Sequence, residues 1–119
     1  MSNAEVGVGN VPITIGGQEY MLVPTVMAAK TVSRLGGGIR GAMDAVLRLD
    51  LEVIEGIIRA GLGQSTVKRI PDFENALFKA GLTVQGGEVA GKCIEFCSIL
   101  ANGGRPAEDE GAPQSPQQG

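Results

Sequence analysis

From Val11 the chain alternates apolar and polar residues: Val11-Pro12-Ile13-Thr14-Ile15, then Gly16-Gly17, then Gln18-Glu19-Tyr20-Met21-Leu22-Val23. A repeat of two is the pattern of a strand with one buried face. The two-residue Gly-Gly connection suits the positive φ angles of tight hairpin turns. This register pairs Ile15 with Gln18, Ile13 with Tyr20 and Val11 with Leu22, and sets Ile13, Ile15, Tyr20 and Leu22 on one face. An isolated two-stranded ribbon is marginal in water, so that face is expected to pack on helices or to pair with another chain.

Beyond Pro24 the repeat changes to that of helices. Pro24-Thr25 offers a turn and an N-cap for a helix from Val26 to Leu35, stopped by Gly36-Gly37-Gly38. A second, Ile39 to Leu49, gathers Ile39, Met43, Val46 and Leu47 on one side; Arg40, Asp44 and Arg48 form a solvated, charge-paired face on the other. Asp50 caps a third, Leu51 to Ala60, whose stripe is Leu51, Ile54, Ile57 and Ile58, with Glu52, Glu55 and Arg59 outward and Gly61 and Gly63 as its end. Pro71-Asp72 begin a fourth, carrying Phe73, Ala76, Leu77 and Ala80 up to Gly81. A fifth, Glu88 to Ala101, lines up Val89, Cys93, Phe96, Cys97 and Leu100. Helices this short depend on packing for their stability.

The expected fold class is mainly α (α+β): a short N-terminal β-hairpin, then about five short packed helices. Residues 1–10 read as a flexible leader and 11–102 as a single α-rich domain. Residues 103–119 hold three prolines, four glycines, three glutamines and no large apolar residue, so they read as a disordered tail.

Composition then narrows the chemistry. The 119 residues carry 10 Lys and Arg against 13 Asp and Glu, a net charge of −3, with no His and no Trp. An acidic chain opposes phosphate-driven nucleic-acid binding, and a chain without imidazole lacks the common triads and the usual catalytic zinc sets. No catalytic residue, metal ligand or cofactor is expected. No run approaches the roughly 20 apolar residues of a membrane span, and Met1 to Glu5 does not open like a signal peptide, so the expected location is the cytoplasm.

Four motifs lend themselves to a sharper reading, and each has a plainer one. Gly86, Gly91 and Lys92 sit as in a phosphate-binding loop, but Cys93 replaces the Ser or Thr whose hydroxyl would hold magnesium; a thiol is a poor ligand for so hard a cation. Gly16-Gly17-Gln18 matches the release-factor tripeptide, yet its strand-flanked setting is that of a hairpin turn. Cys93 and Cys97 lie four apart, a spacing that directs them poorly for a disulfide inside a helix; small core residues are the plainer reading. Glu52 and Glu55 lie on a polar helix face, where they would also repel phosphates if the second and third helices formed a helix-turn-helix. Glu108 to Glu110 lie in the tail.

The run Ile13-Thr14-Ile15-Gly16-Gly17-Gln18-Glu19-Tyr20-Met21-Leu22-Val23-Pro24-Thr25 resembles the apolar-G-G-x-x-Y-x-L-x-P-T/S opening of small phage tail assembly chaperones, the group found in gene transfer agents and lambdoid-type siphophages. The later Ile57-Ile58-Arg59-Ala60-Gly61-Leu62 is similar to a second segment of that group, and the resemblance spans Val11 to Ala101. It implies a non-enzymatic protein that binds the tape-measure protein and recruits tail-tube subunits, acts in the bacterial cytoplasm, and involves no nucleic acid, membrane or small-molecule substrate. The alternatives are a structural tail component retained in the particle, or a small nucleic-acid-binding regulator. Self-association is left open. The expected partner-binding residues are Tyr20 and Leu22 on the hairpin, Val26 on the first helix and Phe96 on the last. The same four side chains are also natural core residues.

Overall fold

A computed structural model describes residues 9–82 and 89–106. Strands β1 (Val11–Ile15) and β2 (Gln18–Leu22) form an antiparallel hairpin in the expected register, Val11 opposite Leu22, Ile13 opposite Tyr20 and Ile15 opposite Gln18. Gly16 and Gly17 adopt φ angles of 62° and 81°, the left-handed region that lets a two-residue turn follow the strand twist. Pro12 sits opposite Met21, where its missing N–H takes no ladder bond from β2.

Among the described residues six helices follow: α1 (Val26–Gly36), α2 (Ile39–Leu47), α3 (Leu51–Leu62), α4 (Gln64–Lys68), α5 (Phe73–Ala80) and α6 (Val89–Ala101). Two N-caps are as the sequence requires. Ala28 N–H donates to Thr25 Oγ1 at 3.0 Å, and Val53 N–H donates to Asp50 Oδ1 at 3.3 Å. The helix beyond the five expected is α4, one short turn of Gln-Ser-Thr-Val-Lys with no side-chain cap. It buries only Val67, so it leaves no periodic trace in the sequence.

The inner face of the hairpin, Val11, Ile13, Ile15 and Leu22, is buried against α3, α5 and α6. Helix α6 is the centre of the core. Val89, Cys93, Phe96, Cys97, Ile99 and Leu100 are all buried, on more than one side of the helix, because α1, α2, α3 and β1 surround it. A helix enclosed in this way is apolar around most of its circumference. Among the described residues no charged or polar side chain is buried.

Three expectations are corrected by the packing. Helix α2 turns Ala42, Ala45 and Val46 inward, not Leu47, which is 72% exposed. Its neighbours α1 and α6 approach along the alanine side, and Leu47 lies about 100° further round the helix than Val46. Helix α3 continues through Gly61 to Leu62 before Gly63 ends it, and its first apolar residue, Leu51, stays exposed. Arg40, Asp44 and Arg48 are exposed, and none of them pairs with another described residue; among the described residues the ion pairs are Arg59–Glu55 at 2.8 Å and Arg59–Glu74 at 3.5 Å.

The folded unit also reaches past both expected boundaries. Gly9 is buried, and Gly104 N–H donates to Ile99 O at 2.8 Å beyond the end of α6. The Asn102 side chain donates to Arg105 O and Pro106 O at 3.0 and 3.3 Å. The expectations for residues 1–8 and 107–119, and for Gly86 and Glu88, lie outside the described residues.

Two non-glycine residues among those described, Leu49 and Asp72, hold a positive φ, and of the two leucine is the less usual there. Leu49, between α2 and α3, has φ 61°. Its N–H donates to Val46 O at 2.8 Å and the Asp50 N–H to Ala45 O at 3.0 Å, so a leucine occupies the left-handed place at a helix C-terminus where glycine is the usual residue.

Candidate binding surfaces

The four expected partner-binding residues divide between interior and surface. Leu22 and Phe96 have no exposed surface, so in this structure they are core and not contact residues. Tyr20 is half-buried. Val26, in the first turn of α1, is 74% exposed. Leu22 and Phe96 are inside for one shared reason: strand β2 and helix α6 meet at α3, where Gly61 provides room for both side chains.

Other apolar residues stand at the surface. Met27 is 69% exposed next to Val26, and Phe78 is 67% exposed on α5. Leu49 and Leu51 are partly exposed as well. The signal for Phe78 was present in the sequence. Phe73 and Leu77 define the buried stripe of α5, and a residue one step past Leu77 points roughly 100° away from it. Leu47 and Leu51 carried no such signal, since each also fits an inward stripe.

Met27, Leu51 and Phe78 border open grooves. Between α1 and α3, Met27, Thr31, Gly56, Arg59 and Ala60 line a space of about 490 Å³. Between the hairpin turn and α5, Thr14, Gly16, Asp72, Asn75 and Lys79 line one of about 600 Å³. Between α3 and α5, Leu51, Glu55, Asp72, Glu74 and Phe78 line one of about 360 Å³. Arg59 spans α3 and α5: it pairs with Glu55 and Glu74 and lies 4.8 Å from the centre of the Phe73 ring.

The cysteines are buried free thiols. Cys93 Sγ lies 3.9 Å from Ile54 O, a weak sulfur hydrogen bond into α3. Burial pushes the Cys97 thiol up to about 11. Burial raises Cys93 further, helped by the neighbouring Cys97 charge. A thiolate is the reactive form of cysteine, so both groups are held in the unreactive one. Lys92 is half-buried on α6, while Gly86 of the phosphate-loop-like stretch lies outside the described residues.

Among the described residues no group of three or more His, Cys, Asp or Glu is placed to hold a metal ion, and no helix is long and apolar enough to cross a membrane. Comparison with protein-family models, curated proteins and solved structures finds no match.

Proposed function

We propose that this chain is a phage or prophage tail assembly chaperone, a non-enzymatic protein that binds the tape-measure protein in the bacterial cytoplasm and helps to recruit tail-tube subunits. Val26, Met27, Leu47 and Phe78 carry this reading: four large apolar side chains, each about two-thirds exposed or more, on a chain with a well-filled interior. Leaving such groups in water forgoes roughly 1.5–3 kcal/mol per side chain relative to full burial. Val26 and Met27 adjoin in the first turn of α1, and exposed apolar side chains grouped in this way are what protein partners cover. The hairpin sequence Gly16-Gly17-Gln18-Glu19-Tyr20 and the segment Ile57 to Leu62 supply the resemblance that names the partner. A tape-measure protein is a long helical polypeptide, and amphipathic helices dock by laying an apolar stripe on apolar grooves.

The test is co-purification of the full chain with the full-length tape-measure protein from the same genome. Stable co-elution is expected, together with absence of the chain from purified particles by mass spectrometry. Failure to associate, or a stoichiometric signal in the particles, overturns the reading.

A further inference from the structure

The groove between α3 and α5 combines exposed apolar walls with a one-signed rim. Leu51 and Phe78 form the walls. Glu55, Asp72 and Glu74 supply three carboxylates. One nearby cation, Arg59, is already engaged by Glu55 at 2.8 Å and Glu74 at 3.5 Å. Lys79 lines the neighbouring groove that shares Asp72 and Asn75, so with Arg59 three carboxylates face two cations and the rim stays net negative.

That charge separates the occupants. A second copy docking the same groove about a two-fold axis would set one acidic rim against another, and like charges across an interface are costly. The chain's own residues 107–119 carry Glu108, Asp109 and Glu110 as their only charged residues and offer no large apolar side chain. They have the wrong sign and no anchor. What fits is a helix with an apolar stripe flanked by Lys or Arg, laid between two helical walls.

Resting on the reading of this chain as a binding protein, we propose that the α3–α5 groove docks a basic amphipathic helix of its partner. Apolar side chains at i and i+3 or i+4 insert between Leu51 and Phe78. Lys or Arg side chains face Glu55, Asp72 and Glu74.

The test uses the full chain and two synthetic helical peptides that share one apolar stripe, flanked by Lys in one and by Glu in the other. Fluorescence anisotropy is expected to show preferential binding of the Lys peptide, weakened by added salt. Phe78→Ser and Leu51→Ser alter exposed positions, and circular dichroism checks that the fold is kept. Each is expected to weaken binding about tenfold, more than most interface truncations do. Glu74→Lys is expected to shift preference toward the Glu peptide. Equal binding of both peptides, or Phe78→Ser binding as well as the unaltered chain, overturns the proposal. So does an oligomer of the unaltered chain that Phe78→Ser dissociates in sedimentation, which would assign the groove to a second copy. The broader reading fails separately: full-length tape-measure protein that does not bind overturns that reading, while Phe78-dependent capture of the Lys peptide still upholds the groove. Conversely, tape-measure binding that survives Phe78→Ser and Leu51→Ser overturns the groove and leaves the broader reading standing.

Discussion

Gly61 lies so close to Leu22 that a Cβ at position 61 would stand 2.8 Å from the Leu22 Cβ and 3.1 Å from the Phe96 ring. The Gly61 carbonyl also accepts the Val23 N–H at 2.9 Å, fastening the end of the hairpin to α3. Gly61→Ala must therefore move a strand against a filled core. Overpacking of this kind costs about 1–3 kcal/mol, offset by about 1 kcal/mol of helix propensity. A net loss of up to about 2 kcal/mol is expected in urea unfolding. Gly56→Ala in the same helix is the contrast. There the close atoms are the ends of the partly exposed Leu35 side chain, which can turn aside. Its expected effect lies between neutral and about 0.5 kcal/mol stabilising.

Thr25 and Asp50 cap α1 and α3 through side-chain oxygens. Thr25→Ala and Asp50→Ala are each expected to cost about 1 kcal/mol. Thermal unfolding measures both, and the double variant should lose about the sum if the caps act independently.

Leu49 holds a positive φ with a partly exposed side chain. Leu49→Gly removes about 1–2 kcal/mol of left-handed strain and gives back part of it through a more flexible unfolded chain. A net gain of up to about 1 kcal/mol is expected in chemical denaturation. Leu49→Ala keeps the strain and should bring no such gain.

Cys93 and Cys97 have thiols raised above the ordinary value of 9.0. A raised acid is neutral in the fold at a pH where the unfolded chain has already ionised. The unfolded state then binds fewer protons, so stability falls as pH rises. The contribution is complete below about pH 9 and is lost as pH climbs through about 11, where Cys97 titrates. Each thiol adds a slope of at most about 1.4 kcal/mol per pH unit in that window. Unfolding curves from pH 8 to pH 11 check the sign, and Cys97→Ala should flatten the slope. Maleimide labelling of both thiols at pH 8 is expected to be slow in the native protein and fast in urea.

The hairpin was readable almost to the residue. Its repeat of two and its Gly-Gly turn fix the register, because slipping by one residue would send Ile13 and Ile15 to the solvent. The caps at Thr25 and Asp50 and the stop at Gly81 were equally plain, being local arrangements of a side chain or a positive φ. Helix α4 is silent in the sequence because five residues burying Val67 alone generate no repeat.

The candidate surface was less readable. Phe96 and Leu22 fit both an interior and a contact surface until α3 was placed between them. Leu47 carried the same apolar signal as Val46, and only the approach of α1 and α6 along Ala42 and Ala45 decided which of the two is buried.

By itself, then, the sequence determined the hairpin and five of the six described helices, to within a residue or two at their ends, since periodicity, capping and turn chemistry act between residues a few positions apart. The tertiary structure alone decided which apolar residues remain outside and which carboxylates gather around them. Leu51 and Phe78 are 27 positions apart, and they share a groove only because the packing of α3 and α5 places them there.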